Sequence, residues 1–94
     1  MIRGIYDEQK LALVLSGHAD YAPKGKDIVC AGVSALAFAY ANHIGGYKKD
    51  QRGMVLRAKG TNETEKAAFK AILNGLQLIA REYPENLLLT RGRL

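Results

Sequence analysis

The sequence has few of the residues that form disulfides or interrupt helices and strands: its 94 residues include one cysteine and two prolines. It has no tryptophan. A single cysteine excludes an internal disulfide, so packing must hold the fold together. The Cys30 thiol is free unless it joins two chains. No apolar stretch reaches the roughly 18 residues of a membrane-spanning helix, and the amino terminus, which meets a charge at Arg3, has no apolar run long enough for a signal peptide. We therefore expect a cytoplasmic protein that is neither secreted nor membrane-spanning.

The composition is that of one folded domain covering residues 1–94. Apolar residues make up 48% of the chain and charged residues 24%, which excludes a disordered protein. The net charge of +5 favours encounters with nucleic acid, the ribosome or an acidic peptide. Charge alone does not choose among these partners.

Hydrophobic periodicity and turn residues predict the order β-β-α-β-β-α-β. Asp27 is a typical N-cap for the first helix, and Gly45-Gly46 ends it. Thr61 or Asn62 caps the second helix, which carries a continuous apolar stripe until Pro84. The fold class is therefore α/β, a two-layer sandwich with a mostly antiparallel sheet and two helices. The predicted strands cover residues 1–6, 10–16, 47–50, 54–59 and 87–90, the first helix covers 28–43, and residues 91–94 form a frayed tail.

His18 and Cys30 flank a loop of about ten residues, which is longer than most connections. If Asp27 is the N-cap, Cys30 lies in the first turn of the helix, where free backbone N–H groups stabilise a thiolate and an oxyanion. A neighbouring imidazole completes the minimal unit for nucleophilic acyl transfer. The alternative is that Cys30 is a small buried hydrophobe and His18 a solvated loop residue. Together with His43 they cannot supply a tetrahedral zinc site, so we expect no metal and no cofactor.

The stretch "GHADYAPKGKDIVCAGVSAL" resembles the signature of the ribosomal-processing cysteine protease family Prp, and "IAREYPENLLL" resembles that family's final helix, Tyr-Pro turn and last strand. This resemblance implies a cysteine protease that removes a short N-terminal extension from the large-subunit ribosomal protein twenty-seven. It implies Cys30 as nucleophile and His18 as its base. The other matching signature positions with supporting roles are Gly17, Asp27 and Ser34. Loop residues expected to cover the peptide substrate are Ala19, Asp20, Tyr21 and Ala22.

The chain departs from this family pattern in three places. Asp20 stands where the family commonly has Gly, and Gly32 stands where it commonly has Ala. Residues 45–60 are short and basic, where relatives often carry an acidic stretch. The expected substrate remains a ribosomal protein precursor, with Asp20 placed to repel acidic side chains.

Two further expectations concern partners. The first helix is apolar almost all round, and one sheet can cover only one of its sides, so we predict a homodimer through this helix, as the resemblance also implies. The rival function is a non-catalytic, basic module that binds the ribosome or ribosomal RNA. The basic residues of that rival surface are Lys48, Lys49, Arg52, Arg57 and Lys59.

Overall fold

The strands and helices follow one another in the predicted order in the computed structural model, which describes residues 1–23 and 25–94. They are β1 (Ile2–Asp7), β2 (Ala12–Ser16), α1 (Ile28–Ile44), β3 (Lys48–Asp50), β4 (Gly53–Arg57), α2 (Glu63–Glu82) and β5 (Leu87–Arg91).

The five strands form one sheet in the order β3-β4-β2-β1-β5. The pairs β1–β2, β2–β4 and β3–β4 are antiparallel. Strand β5 returns from α2 to pair in parallel with β1, with Ile2 opposite Leu87. The predicted sandwich with a mostly antiparallel sheet is therefore confirmed, and the parallel pair brings the end of α2 beside the start of β1.

The hydrophobic core lies between the two helices and one face of the sheet. Alternation in β2 turns Leu13 and Leu15 toward this core, while Val14 faces the other side and is also buried. From α1, Tyr40 enters the core with 1% of its surface exposed, and its hydroxyl donates to the carbonyl of Leu11 at 2.7 Å. Helix α1 is thereby fixed against the first hairpin.

The helix ends follow the capping chemistry that the sequence predicts. Asp27 and Asn62 accept backbone N–H bonds at the starts of α1 and α2, so the alternatives for the second cap resolve to Asn62. Gly45 ends α1 in the left-handed region, at φ 91°, and its N–H donates to the Ala41 carbonyl. Within the described residues, neither helix is both long and apolar enough to cross a bilayer.

The first turn is longer than predicted, so β2 begins at Ala12 rather than residue 10. The Asp7 carboxylate accepts the N–H groups of Gln9 and Lys10, and Leu11 adopts a positive φ of 51°. These two N–H groups bond to a side chain rather than to a neighbouring strand, which explains the shorter strand.

The tail after β5 is docked, so the prediction of a frayed tail is wrong. Gly92 donates its N–H to the Tyr6 carbonyl, and Leu94 donates to the second oxygen of Asp7 at 2.9 Å. Lys10 also contacts the Leu94 carbonyl. The bond from Leu94 is the largest of the contacts that lower the pKa of Asp7. The carboxylate of Asp7 is 87 positions away from Leu94, so it cannot be recognised as the partner of this tail from local pattern.

Candidate active site

His18 and Cys30 lie on different elements that meet at one cleft. His18 follows the end of β2 and is exposed, whereas Cys30 lies in the first turn of α1 and is partly exposed. The cleft is open and has a volume of about 670 Å³. Its lining residues are His18, Asp20, Ala22, Gly25, Asp27, Cys30, Ala31 and Ser34.

Gly17 sets the direction in which the chain leaves the sheet toward His18. Its φ is +86°, which side-chain-bearing residues rarely adopt. A Cβ atom at this position would lie 2.5 Å from the carbonyl oxygen of Met1, a backbone atom with little freedom to move. The position therefore requires glycine for two reasons, its backbone angle and the close approach of β1.

Asp27 joins α1, the helix that carries Cys30, to the loop. One carboxylate oxygen accepts the N–H of Cys30 at 2.9 Å, and the other accepts the N–H groups of Tyr21 and Ala22 at 3.0 and 3.4 Å. The bond from Cys30 is the main cause of the lowered pKa of Asp27, with smaller contributions from the loop N–H groups. The capping role of Asp27 is thus confirmed. In the described residues its carboxylate accepts bonds from backbone N–H groups and not from the imidazole of His18.

The backbone N–H groups at the start of α1 are less available to an oxyanion than the sequence predicts. The N–H of Cys30 binds the Asp27 side chain, and the N–H of Ala31 binds the Asp27 carbonyl at 3.0 Å. An oxyanion here would therefore need other donors, or the release of one of these bonds.

The loop after His18 is attached to the turn that links α2 to β5. Asn86 donates from its side-chain amide to the Ala19 carbonyl at 2.9 Å, and Ala19 is only 1% exposed. Tyr21 packs edge-to-face on Tyr83, with the ring centroids 5.2 Å apart. The sequence places Tyr83 at the end of the apolar stripe of the second helix and predicts no role at the cleft for Tyr83 or Asn86. Their only signal is that both lie in the second stretch with family resemblance.

Asp20 is the most unusual residue of the loop. It adopts a φ of +56°, and its side chain is 80% exposed, with one carboxylate oxygen 3.3 Å from the amino group of Met1. The left-handed angle gives a physical reason why glycine suits this position. Ser34 and Ala31 lie on the opposite, helical wall of the cleft.

The described contacts include no hydrogen bond between the imidazole of His18 and the thiol of Cys30. Among residues 1–23 and 25–94, no group of three or more His, Cys, Asp and Glu side chains is arranged to hold a metal ion. What the cleft does place together is a partly exposed thiol at a helix start and an exposed imidazole on the facing loop. This chemistry is that of a thiol-dependent hydrolase.

Comparisons with known proteins agree with this chemistry. The family model described as cysteine protease Prp matches residues 1–88, so the chain belongs to the Prp family of cysteine proteases. The ribosomal processing cysteine protease Prp of Staphylococcus aureus is 35% identical, over 88% of this chain and 89% of that protein. Its Bacillus subtilis counterpart is 28% identical, over 95% and 92% of the two chains.

Solved structures give the same result for the fold. A crystal structure of the S. aureus protease with a covalently linked product peptide superposes with a TM-score of 0.83 at 30% identity, covering 98% of this chain and all of the other. A structure of the same protease with a substrate peptide gives a TM-score of 0.75 at 27% identity. The similarity therefore extends over nearly the whole described domain.

Proposed function

We propose that the protein is an endopeptidase in which Cys30 is the nucleophile and His18 is the general base. The thiol proton passes to the imidazole as sulfur attacks the scissile carbonyl carbon. The imidazolium then gives this proton to the leaving amine as the C–N bond breaks. Water then loses a proton to His18 and attacks the thioester carbon. The C–S bond breaks, the imidazolium returns its proton to the sulfur of Cys30, and the carboxylic acid product is released. No cofactor takes part in these steps.

The observation that supports this proposal is the shared cleft of His18 and Cys30. Among the described residues there is no hydrogen bond between these two side chains, and catalytic pairs commonly tighten only when substrate binds. An extended peptide lying between the loop and α1 would exclude water and draw the imidazole toward the thiol. The cleft volume of about 670 Å³ is sufficient for several side chains of such a peptide.

The proposed substrate is a cytoplasmic precursor of the large-subunit ribosomal protein twenty-seven, from which the enzyme removes an N-terminal extension. The names of the S. aureus and B. subtilis relatives, which are ribosomal processing proteases, support this choice. So does the S. aureus structure with a covalently linked product peptide. The cytoplasm is the compartment where ribosomal proteins are made and where a single free thiol stays reduced.

The test is to incubate the protein with the extended ribosomal protein and to read product masses. Cys30→Ala should abolish cleavage, and His18→Ala should reduce it by at least roughly 100-fold, within the range for general base catalysis. His43→Ala is the matched control, because His43 lies at the other end of α1 and lines a different cavity. Retained cleavage in the Cys30→Ala protein, or equal losses for the two histidines, would contradict the proposal.

The homodimer is the second part of the proposal. The core and α2 cover one side of α1, but its other side stays apolar and exposed, with Ile28 at 57% and Phe38 at 52%. Ala31, Ala35 and Ala39 are also exposed on this helix, and small residues allow two helices to approach closely. We propose that a second copy covers this side through the same helix.

Light scattering at micromolar concentration tests the dimer. The wild-type protein should have the mass of two chains, and Ala35→Glu should give the mass of one, because it places a carboxylate between the helices. Lys70→Glu on the exposed side of α2 is the control, and it should remain a dimer. A monomeric wild-type protein would contradict the proposed assembly.

The possible contact with ribosomal RNA rests on exposed basic residues near the second hairpin. Lys48, Lys49, Arg57 and Lys59 are exposed, whereas Arg52 bonds to Asp50 at 2.8 Å. A non-catalytic RNA-binding module would bind RNA with steep salt dependence and would have an unreactive thiol. Iodoacetamide labelling of Cys30 as a function of pH, beside RNA binding at two salt concentrations, separates this alternative from the protease.

A further inference from the structure

The turn from Tyr83 to Asn86, which we call the anchor turn, is held in place by the sheet. Asn86 donates its backbone N–H to the Tyr83 carbonyl at 3.0 Å, and its own carbonyl accepts the N–H of Ile2 at 2.9 Å. The next residue, Leu87, is 1% exposed and opposes Ile2 in the parallel pair of β1 and β5. The backbone of Asn86 is therefore fixed independently of the cleft loop.

The side chain of Asn86 extends from this fixed backbone to the loop. Its amide nitrogen lies 2.9 Å from the carbonyl oxygen of Ala19, the residue that directly follows His18. Ala19 is 1% exposed, so its carbonyl has little access to water and depends on this donor. The ring of Tyr21 against Tyr83 adds a second contact two residues further along.

Asp27 cannot replace these contacts, because it binds the loop from the opposite wall of the cleft. Its bonds to Tyr21 and Ala22 start from α1, the helix that carries Cys30. The anchor turn, in contrast, is attached to the sheet through Ile2. The loop is thus hydrogen-bonded to both α1 and the anchor turn, and the bond nearest in sequence to His18 is the one from Asn86.

We propose that Asn86 is a positioning residue that holds His18 in place through the Ala19 carbonyl, with Tyr83 supporting the same stretch of loop. This inference rests on the proposed role of His18 as the base. Losing the donor frees the backbone next to the imidazole, which then spends less time where it can take the thiol proton. A misplacement of about 1 Å can cost on the order of 100-fold in rate, so we expect kcat to fall by roughly 10- to 100-fold and KM to change less.

The experiment compares three variants of the full chain. Asn86→Ala removes the amide, and Asn86→Asp keeps its shape but cannot donate to a carbonyl unless protonated. Asn62→Ala is the matched control, because Asn62 also makes one side-chain hydrogen bond to backbone at 2.9 Å, to Glu65. Asn62 lies at the opposite end of the 20-residue α2, roughly 30 Å away at 1.5 Å per residue.

Each variant is measured in two ways: kcat and KM on a peptide spanning the proposed cleavage site, and hydrogen exchange of the segment covering residues 17–23. Both Asn86 variants should lose kcat and exchange faster in this segment, while Asn62→Ala stays within twofold of wild type in both. Wild-type kcat in Asn86→Asp, or an equal loss in Asn62→Ala, would overturn the proposal. If the wild-type protein leaves the peptide intact, the proposed function fails, and unchanged exchange in the Asn86 variants would separately overturn the anchor.

Discussion

Replacing Gly17 by alanine should disable the cleft while leaving most of the fold intact. The added Cβ would lie 2.5 Å from the Met1 carbonyl oxygen, whereas ordinary contacts begin at 3.4 Å. One of the two backbones must therefore move by the difference, about 0.9 Å. Strands β1 and β2 are both paired on two sides, so the movement falls on the residues just outside them, which include Gly17 and the adjacent His18.

The size of the effect follows from that displacement. A shift of about 1 Å in a reacting group can cost on the order of 100-fold, so kcat/KM should fall by about that factor. The φ of +86° adds strain of roughly 1–2 kcal/mol for a residue with a Cβ. In a domain of this size, each kcal/mol lowers the melting temperature by about 4–8 °C. The variant should therefore melt earlier but remain folded at 25 °C.

Gly45→Ala is the control, because it should introduce the same backbone strain without displacing neighbouring atoms. Gly45 has a nearly equal φ of +91°, and its added Cβ would meet only the Lys59 ammonium, at 3.8 Å. It ends α1 far from the cleft, so a similar loss of melting temperature should leave peptide cleavage within twofold of wild type. Wild-type cleavage by Gly17→Ala, or an equal loss of cleavage in Gly45→Ala, would refute the argument that this turn places His18.

Three other predictions concern stability and selectivity. Tyr40→Phe removes the hydrogen bond to Leu11 and should lower the free energy of unfolding, measured in urea, by about 1 kcal/mol. Burial raises the pKa of Tyr40 to about 12 from 10.0, so the free energy of unfolding of the wild-type protein should fall between pH 10 and 12. This fall should be absent in Tyr40→Phe and present in the control Tyr47→Phe. Gly32→Ala should raise the free energy of unfolding by up to about 1 kcal/mol, because the added Cβ would meet only the end of the flexible Ile79 side chain, at 3.2 Å. A lower midpoint of urea unfolding would contradict this. Asp20→Gly should raise kcat/KM for a peptide with an acidic residue near the cut relative to a neutral one, and an unchanged ratio would remove Asp20 from selectivity.

The sequence predicted those parts of the fold that depend on local chemistry. Asp27 and Asn62 are short polar residues before apolar periodic segments, and Gly45 follows one, so both helices were found within a residue or two. The order of elements and the antiparallel hairpins follow from alternation and turns. The pair His18 and Cys30 was predicted from their chemistry in a chain with one cysteine, and the structure places both side chains on one cleft.

What the sequence could not predict depends on residues far apart in the chain. Asn86 and Ala19 are 67 positions apart, and an asparagine in a turn has many possible partners. The same holds for the tail, where Leu94 bonds to Asp7. The occupied N–H groups at the start of α1 were missed for a different reason. The carboxylate of Asp27 that caps the helix also accepts the N–H of Cys30, so this donor is not free.

The contact between Asn86 and Ala19 also has a consequence during protein synthesis. A ribosome adds about 5–20 residues per second, so residue 86 follows residue 19 by roughly 3–13 seconds. Until it leaves the exit tunnel, β5 cannot pair with β1 and the loop beside His18 lacks its support from the anchor turn. A nascent chain that already carries His18 and Cys30 therefore has an unfinished cleft until β5 has paired with β1.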